Sequence, residues 1–374
     1  MQFSSIPGLQ QVKKLLTDAV KHNHSAHAQL FQGPEGSLNL PLAVAFAQYL
    51  HCENRGEDAC GTCAACSKSS HFVHPDTHFV FPKSNLKNDK DEERFEADIL
   101  KSWRTFLKEQ PFGNLEDWTA SYGGEGKQPF ISREESRNII KKLSLKSFES
   151  KYKVMIIWLP ERMHPSAANG ILKLLEEPPP YTYFILVSNA ADQLLPTILS
   201  RTQIVTTPHL LDEDIKSYLS NLGLTEPRLS KVTGLANGNL RQALVLAEGE
   251  EEDDTDQRFS SWMRTCYKRD YLSLVNMAEE YHRLDKLQQK SMMEHSLTMM
   301  RETLLSLANA ESIQRSRGQE QKFVQDFSKI MSLEKVEKSY SLINDASYFL
   351  ERNGSAKMIF LDLSLQLSKT MNPA

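Results

Sequence analysis

Residues 28–40 read Ala28-Gln29-Leu30-Phe31-Gln32-Gly33-Pro34-Glu35-Gly36-Ser37-Leu38-Asn39-Leu40. A short apolar run gives way to a glycine-containing turn, and a helical pattern follows over 41–50. Strand, glycine turn and helix in that order are the setting of a phosphate-binding loop, G-x-x-x-x-G-K-[ST], whose backbone N–H groups close around phosphate. Its lysine reaches the β and γ oxygens, and its hydroxyl holds Mg²⁺. Here Leu38 stands at the second glycine, Asn39 at the lysine and Leu40 at the hydroxyl residue. Gly33, Gly36 and Asn39 are therefore candidates for a vestigial nucleotide site. By itself the stretch would pass for an unrelated turn.

The surrounding chain gives it a frame. Strands are expected at 28–32, 77–81, 153–159, 183–188 and 203–206, with helices at 10–20, 41–50, 133–143 and 167–177. The continuous run Val154-Met155-Ile156-Ile157-Trp158 suits a strand buried on both faces of a parallel sheet. Ser132 with Glu135 makes a capping box for the helix at 133–143, and Pro178-Pro179-Pro180 stops the helix before it. The alternation predicts an α/β domain over 1–207. A magnesium-dependent NTPase would end the 153–159 strand in an acidic pair, but those positions are Trp158 and Leu159, with Glu161 past the strand end. Two elements of one active site have lost their charges together, as in a protein that keeps the fold without the chemistry.

Four of the five cysteines fall within fifteen residues, as Cys52-x₇-Cys60-x₂-Cys63-x₂-Cys66. Zinc takes four soft ligands in a tetrahedron, and short C-x₂-C turns aim two sulfurs at one ion. Two overlapping C-x₂-C units plus a fourth cysteine favour a structural Zn²⁺ module at about 51–70 over disulfides or a redox pair. An iron–sulfur cluster is a weaker alternative, and His51, His71 and His74 are expected to pack locally or face solvent. Cys266 reads as a buried thiol.

The 374 residues suggest two or three domains; 40% are apolar and 25% charged, with formal net charge −4. That balance excludes a whole-chain basic field that would grip nucleic acid unaided. No apolar run approaches the ~20 residues of a membrane helix, and the start lacks a signal-peptide pattern, so a cytoplasmic protein is expected. Residues 84–128 interrupt the α/β pattern. Their mixed charge run at 87–94, amphipathic stretch at 95–107 and glycines at 123–126 read as a surface insertion with one helix. Residues 208–250 read as a small helical lid, with Asp212-Glu213-Asp214 opening one helix and 240–247 in another. Seven acids in the nine residues 248–256 read as a linker or exposed helix end. An all-helical domain fills 257–374, with Leu342, Ala346, Phe349 and Leu350 on one helix face.

Three further stretches carry a resemblance. Ser166-Ala167-Ala168-Asn169-Gly170-Ile171-Leu172-Lys173-Leu174-Leu175-Glu176-Glu177-Pro178-Pro179 resembles the S-A-x-N-A-L-L-K-x-L-E-E-P-P stretch of bacterial DNA polymerase III clamp-loader subunits, members of the AAA+ superfamily. Leu195-Pro196-Thr197-Ile198-Leu199-Ser200-Arg201-Thr202 is similar to their L-P-x-T-I-x-S-R-C motif, with Thr202 in place of the cysteine. Gly238-Asn239-Leu240-Arg241-Gln242-Ala243-Leu244 looks like their sensor-2 helix. Order, intervals and the four-cysteine module also match over 1–250, although the 84–128 insertion is longer than in familiar members. Intact phosphate loops in that family belong to the γ/τ ATPases. A degenerate loop with a retained Ser-Arg motif implies a subunit that does not hydrolyse ATP.

The resemblance implies an AAA+ parallel-sheet domain, a helical lid and a C-terminal collar for oligomerisation. It implies γ/τ and δ subunits as partners, with the sliding clamp and primed DNA reached through the complex, and no membrane. It makes Arg201, with Ser200, a guanidinium donated in trans to a γ/τ ATP, worth roughly 10³–10⁵ in rate in GTPases. Arg241 would touch a residual nucleotide or form an ion pair across domains. The competing functions are an autonomous ATPase, with Lys173 or Glu176 recruited, and a zinc-dependent DNA-binding protein. The latter is disfavoured because Glu53, Glu57 and Asp58 offset Arg55 and Lys68 around the cysteines.

Overall fold

The strand that begins with Lys153 is buried at every position, as its unbroken apolar run requires. In the computed structural model it lies in a five-stranded parallel sheet. The structure describes residues 1–84, 92–144, 146–226, 228–248, 255–284, 286–310, 313–314, 316, 318–352 and 354–372. Most of the charge run at 87–94 and of the acidic run at 248–256 lies outside the described residues.

In chain order the first elements are α1 (Gln10–Lys21), β1 (Ala28–Gln32), α2 (Asn39–His51), α3 (Ala64–Ser70), β2 (Thr77–Val80), α4 (Glu92–Glu109), α5 (Leu115–Ser121) and α6 (Arg133–Ser144). Then come β3 (Lys153–Trp158), α7 (Pro165–Glu176), β4 (Thr182–Ser188), α8 (Pro196–Leu199) and β5 (Gln203–Thr206). The helices α9 (Asp212–Asn221), α10 (Arg228–Ala236) and α11 (Leu240–Glu248) follow. The sheet order is β2-β3-β4-β1-β5, with Leu30 of β1 opposite Leu186 of β4 and Ile204 of β5. The five strands and the helices expected around them are present with end shifts of a residue or two, in the α/β architecture that the AAA+ resemblance implied. The turn after β1 opens at the carboxyl edge of the sheet, where open α/β sheets place their ligands.

Contacts divide the chain into two compact units, residues 1–229 with 236–247, and residues 230–235 with 248–374. Within the first, the 84–128 insertion departs from the expected surface excursion. It forms two helices, α4 and α5, and Trp103 and Trp118 are fully buried. Trp103 stacks on Phe81 at 4.2 Å and lies 5.2 Å from Trp158. Trp118 donates its indole N–H to the Pro82 carbonyl at 2.8 Å. The charge run reads as solvated, whereas both tryptophans pack on Phe81 just past the end of β2, and Trp103 also on Trp158 of β3. Lys83 adds an anchor, its Nζ 2.5 Å from Glu135 and 2.6 Å from Glu96. Half of the expected capping box forms in consequence. The Glu135 N–H reaches Ser132 Oγ at 3.4 Å, but the Glu135 carboxylate turns to Lys83.

The second unit contains α12 (Thr255–Lys268), α13 (Tyr271–Arg283), α14 (Lys286–Leu307), α15 (Gly318–Ser328), α16 (Leu333–Glu351) and α17 (Ala356–Met371). Trp262 and Tyr281 stack on Phe360 at 4.6 and 4.4 Å, and Trp262 donates to Ser364 Oγ. Cys266 is buried there, and burial pushes its thiol up to about 12. On α16 the buried stripe runs through Ile343 and Ala346, whereas Phe349, expected on that face, is 55% exposed. Leu342 and Leu350 pack at its margin. No helix among the described residues is long and apolar enough to cross a membrane.

Candidate functional site

Asn39 opens α2 at the place of a phosphate-loop lysine and is 3% exposed. Its Nδ2 donates to the Ser188 carbonyl at 3.1 Å and to Asn189 Oδ1 at 2.9 Å, and its Oδ1 accepts from the Leu40 N–H. The amide ties the start of α2 to the end of β4, where a lysine would project toward phosphate. Leu38 and Leu40 are buried on either side, so both side chains serve packing.

The two loop glycines are fixed by close neighbours. A Cβ on Gly33 would meet Ser37 Oγ and the Thr207 carbonyl, both at 2.3 Å. Gly36 has φ +85°, and a Cβ there would lie 2.1 Å from the Asn239 amide. Asn239 itself caps α11, accepting from the Gln242 N–H at 3.0 Å. At the end of β3, Trp158 and Leu159 are buried, while Glu161 sits in a following turn and accepts from the Asn189 N–H at 3.0 Å. Asn39, Asn189 and Glu161 thus form an uncharged-to-acidic chain of hydrogen bonds without a lysine.

Arg241 of α11 makes a two-point ion pair with Asp117 of α5, Nε to Oδ2 at 2.5 Å and Nη2 to Oδ1 at 2.7 Å. Burial opposes its charge, but Asp117 outweighs burial and holds the guanidinium above its usual range. Arg241 is expected from the sequence to touch a residual nucleotide or to form an ion pair across domains, and in this structure its guanidinium pairs with Asp117. Asn114, the N-cap of α5, also reaches the loop, donating to Glu35 Oε1 at 2.8 Å. Sequence reasoning found neither partner, since both lie in the insertion. It also passed over Asn239, although an asparagine directly before a helix is an N-cap signal.

Arg201 follows α8 on the other side of β5 from its loop end. Its side chain is 31% exposed and pairs with Glu176 of α7 at 3.2 Å. Nη1 donates to the Thr197 carbonyl at 3.0 Å and to Ser200 Oγ at 3.2 Å. Thr202 bonds back to the Ile198 carbonyl, a local packing role. Arg201 and Ser200 therefore share a turn, and Glu176 is the missed neighbour.

Cys52, Cys60, Cys63 and Cys66 place their sulfurs within 4.8 Å of one another, and Cys60 Sγ lies 3.9 Å from Cys66 Sγ. A tetrahedron with metal–sulfur bonds of about 2.3 Å has sulfurs about 3.8 Å apart, so the four can hold one metal ion. The N–H groups of Cys60, Cys63 and Cys66 point at the sulfurs of Cys52, Cys60 and Cys63. Backbone N–H groups of Thr62 and Cys63 draw the half-buried Cys60 thiol down to about 6, whereas burial raises Cys52 and Cys66. A cation would offset that burial and hold all four as thiolates. The histidines stand apart. His51 lies between Ser150 Oγ and Thr77 Oγ1 and stacks on His74 at 3.9 Å, and His71 bonds the Ser67 carbonyl.

With this geometry in place, a family model described as "DNA polymerase III, delta subunit" matches residues 8–210. The chain belongs to that DNA polymerase III delta-subunit family. The Bacillus subtilis DNA polymerase III subunit delta' is 25% identical over 241 residues, 64% of this chain and 60% of its own length. The Haemophilus influenzae subunit delta' is 26% identical over 253 residues, 68% of this chain and 62% of its own. The chain thus spans less than two thirds of the length of these curated relatives. Among solved structures, a DNA polymerase III gamma subunit-related protein of Thermotoga maritima aligns with a TM-score of 0.43 and 14% identity, covering 96% of this chain and 99% of its own. Within the delta-subunit family, the degenerate-loop resemblance read from the sequence is to the δ′ member, and relatives of that name are among those found.

Proposed function

We propose that this member of the delta-subunit family is the non-hydrolysing δ′ component of a clamp loader, assembled with γ/τ and δ subunits to load a sliding clamp onto primed DNA. The observation that carries the reading is the contrast between Asn39 and Arg201. Asn39 is buried and bonded to Ser188 and Asn189, so the lysine position of the loop offers an uncharged amide in place of a cation. Arg201 stays at the surface in a solvent-exposed pair with Glu176. Such pairs are worth about 0–1 kcal/mol, so the guanidinium can leave Glu176 for a neighbour's γ-phosphate at little cost. Arg201, beside Ser200, is then the group that completes a γ/τ ATP site in trans. The metal held by the four cysteines is zinc in this reading, with a structural role because four sulfurs leave no open coordination position. The helices of 257–374 serve as the oligomerisation collar, and the protein works in the cytoplasm.

The test is reconstitution with γ/τ and δ subunits. Arg201→Ala is expected to lower clamp-stimulated ATP turnover while leaving the mass of the complex unchanged. Turnover equal to wild type in an intact complex would remove the trans role. Measurable hydrolysis by the purified chain alone would favour the autonomous ATPase instead.

A further inference from the structure

The insertion meets the vestigial nucleotide site at two points. Asn114 bonds Glu35 inside the loop, and Asp117 takes the Arg241 fork with both carboxylate oxygens. These contacts join residues 79 and 124 positions apart. Asp117 is also held in place from behind. Its Oδ2 accepts the Asn114 N–H at 2.8 Å in a complete capping box, and the next residue, Trp118, is buried and bonded to Pro82. From above, the Asn239 amide fills the space over Gly36. The planar guanidinium fork accepts carboxylate and phosphate in the same two-point geometry.

We propose that the insertion is a built-in occupant of this site, in which Asp117 takes the place of a phosphate on Arg241 and holds α11 without nucleotide. The chain therefore keeps one lid arrangement whatever the nucleotide supply, while ATP acts only at sites on its neighbours. The inference concerns this chain's own pocket and stands whether or not Arg201 acts in trans.

Hydrogen exchange of α11 in the full-length chain tests it, with MgADP and inorganic pyrophosphate as probes. In the wild type, millimolar amounts of either should leave α11 unchanged. Arg241→Gln leaves the α5 cap intact and should speed exchange in α11 by on the order of tenfold, the effect of losing a part-buried two-point ion pair. Asp117→Asn keeps the side-chain oxygen that caps α5, and should loosen α11 to the same extent. Its freed guanidinium should then accept pyrophosphate and restore protection, whereas the double variant should not respond. Added protection of wild-type α11 by either probe would overturn the proposal. So would normal exchange in Arg241→Gln, or an Asp117→Asn chain indifferent to pyrophosphate.

Discussion

Trp103 and Trp118 meet edge to face, their ring centroids 5.0 Å apart and their planes at 88°, and both are fully buried. They come from the two helices of the insertion, and around them stand Phe81, Phe106 and Trp158. An insertion built this way is part of the first unit's core. Trp118→Ala should cost about 3–5 kcal/mol, the range for emptying a buried aromatic site, and should also strand the Pro82 carbonyl. Urea unfolding measures this, and a loss below about 1 kcal/mol would return the insertion to the surface.

Asn39 should matter to stability and not to hydrolysis. Removing its amide leaves the Ser188 carbonyl and Asn189 without their buried partner, so Asn39→Ala should cost about 1–3 kcal/mol. Asn39→Lys should produce no ATPase, because Leu40 and the Trp158-Leu159 strand end supply no magnesium ligand. Phosphate release by that variant would show that the lysine alone had been missing.

The cysteine cluster should bind one metal ion per chain. Native mass spectrometry should show it on the wild type and lose it in Cys63→Ser. Chelation should lower the unfolding temperature, because the sulfurs of Cys52 and Cys66 are buried and disfavour charge without a cation. A chain that purifies metal-free with an unchanged melting curve would leave the four cysteines as thiols.

His78 of β2 gives a pH signature. Burial, and after it Lys142, hold its imidazole down to about 4. The unfolded value is about 6.5, so across that window the unfolded chain takes the proton that the folded chain refuses. Stability is therefore full above about pH 6.5 and falls on acidification toward about pH 4, by up to about 1.4 kcal/mol per pH unit from this group. Denaturant midpoints measured across the window should drop more steeply in the wild type than in His78→Gln. His51, drawn down to about 3 by burial, leaves a residual slope of the same sign in the variant. Equal slopes would exclude His78 as a contributor.

The glycine turn after β1, the buried run of β3 and the cysteine spacing were legible because each is written in neighbouring residues. Local periodicity places strands and helices within a residue or two, and C-x₂-C turns bring sulfurs together without help from the rest of the fold. Phe349 shows the limit. Helical spacing put it with Leu342 and Ala346, but the packing of α16 buries Ile343 in preference and leaves Phe349 exposed.

The sequence by itself therefore determined the α/β frame, the asparagine and leucines in the turn after β1, the grouping of four cysteines and the separate helical segment. Only the tertiary structure decided which partners the loop and α11 side chains take. Asn39 joins Ser188 across 149 positions, and Asp117 joins Arg241 across 124. Such contacts follow from how sheet, insertion and α11 stack, and side chains so far apart leave no spacing or period in the chain from which to read them.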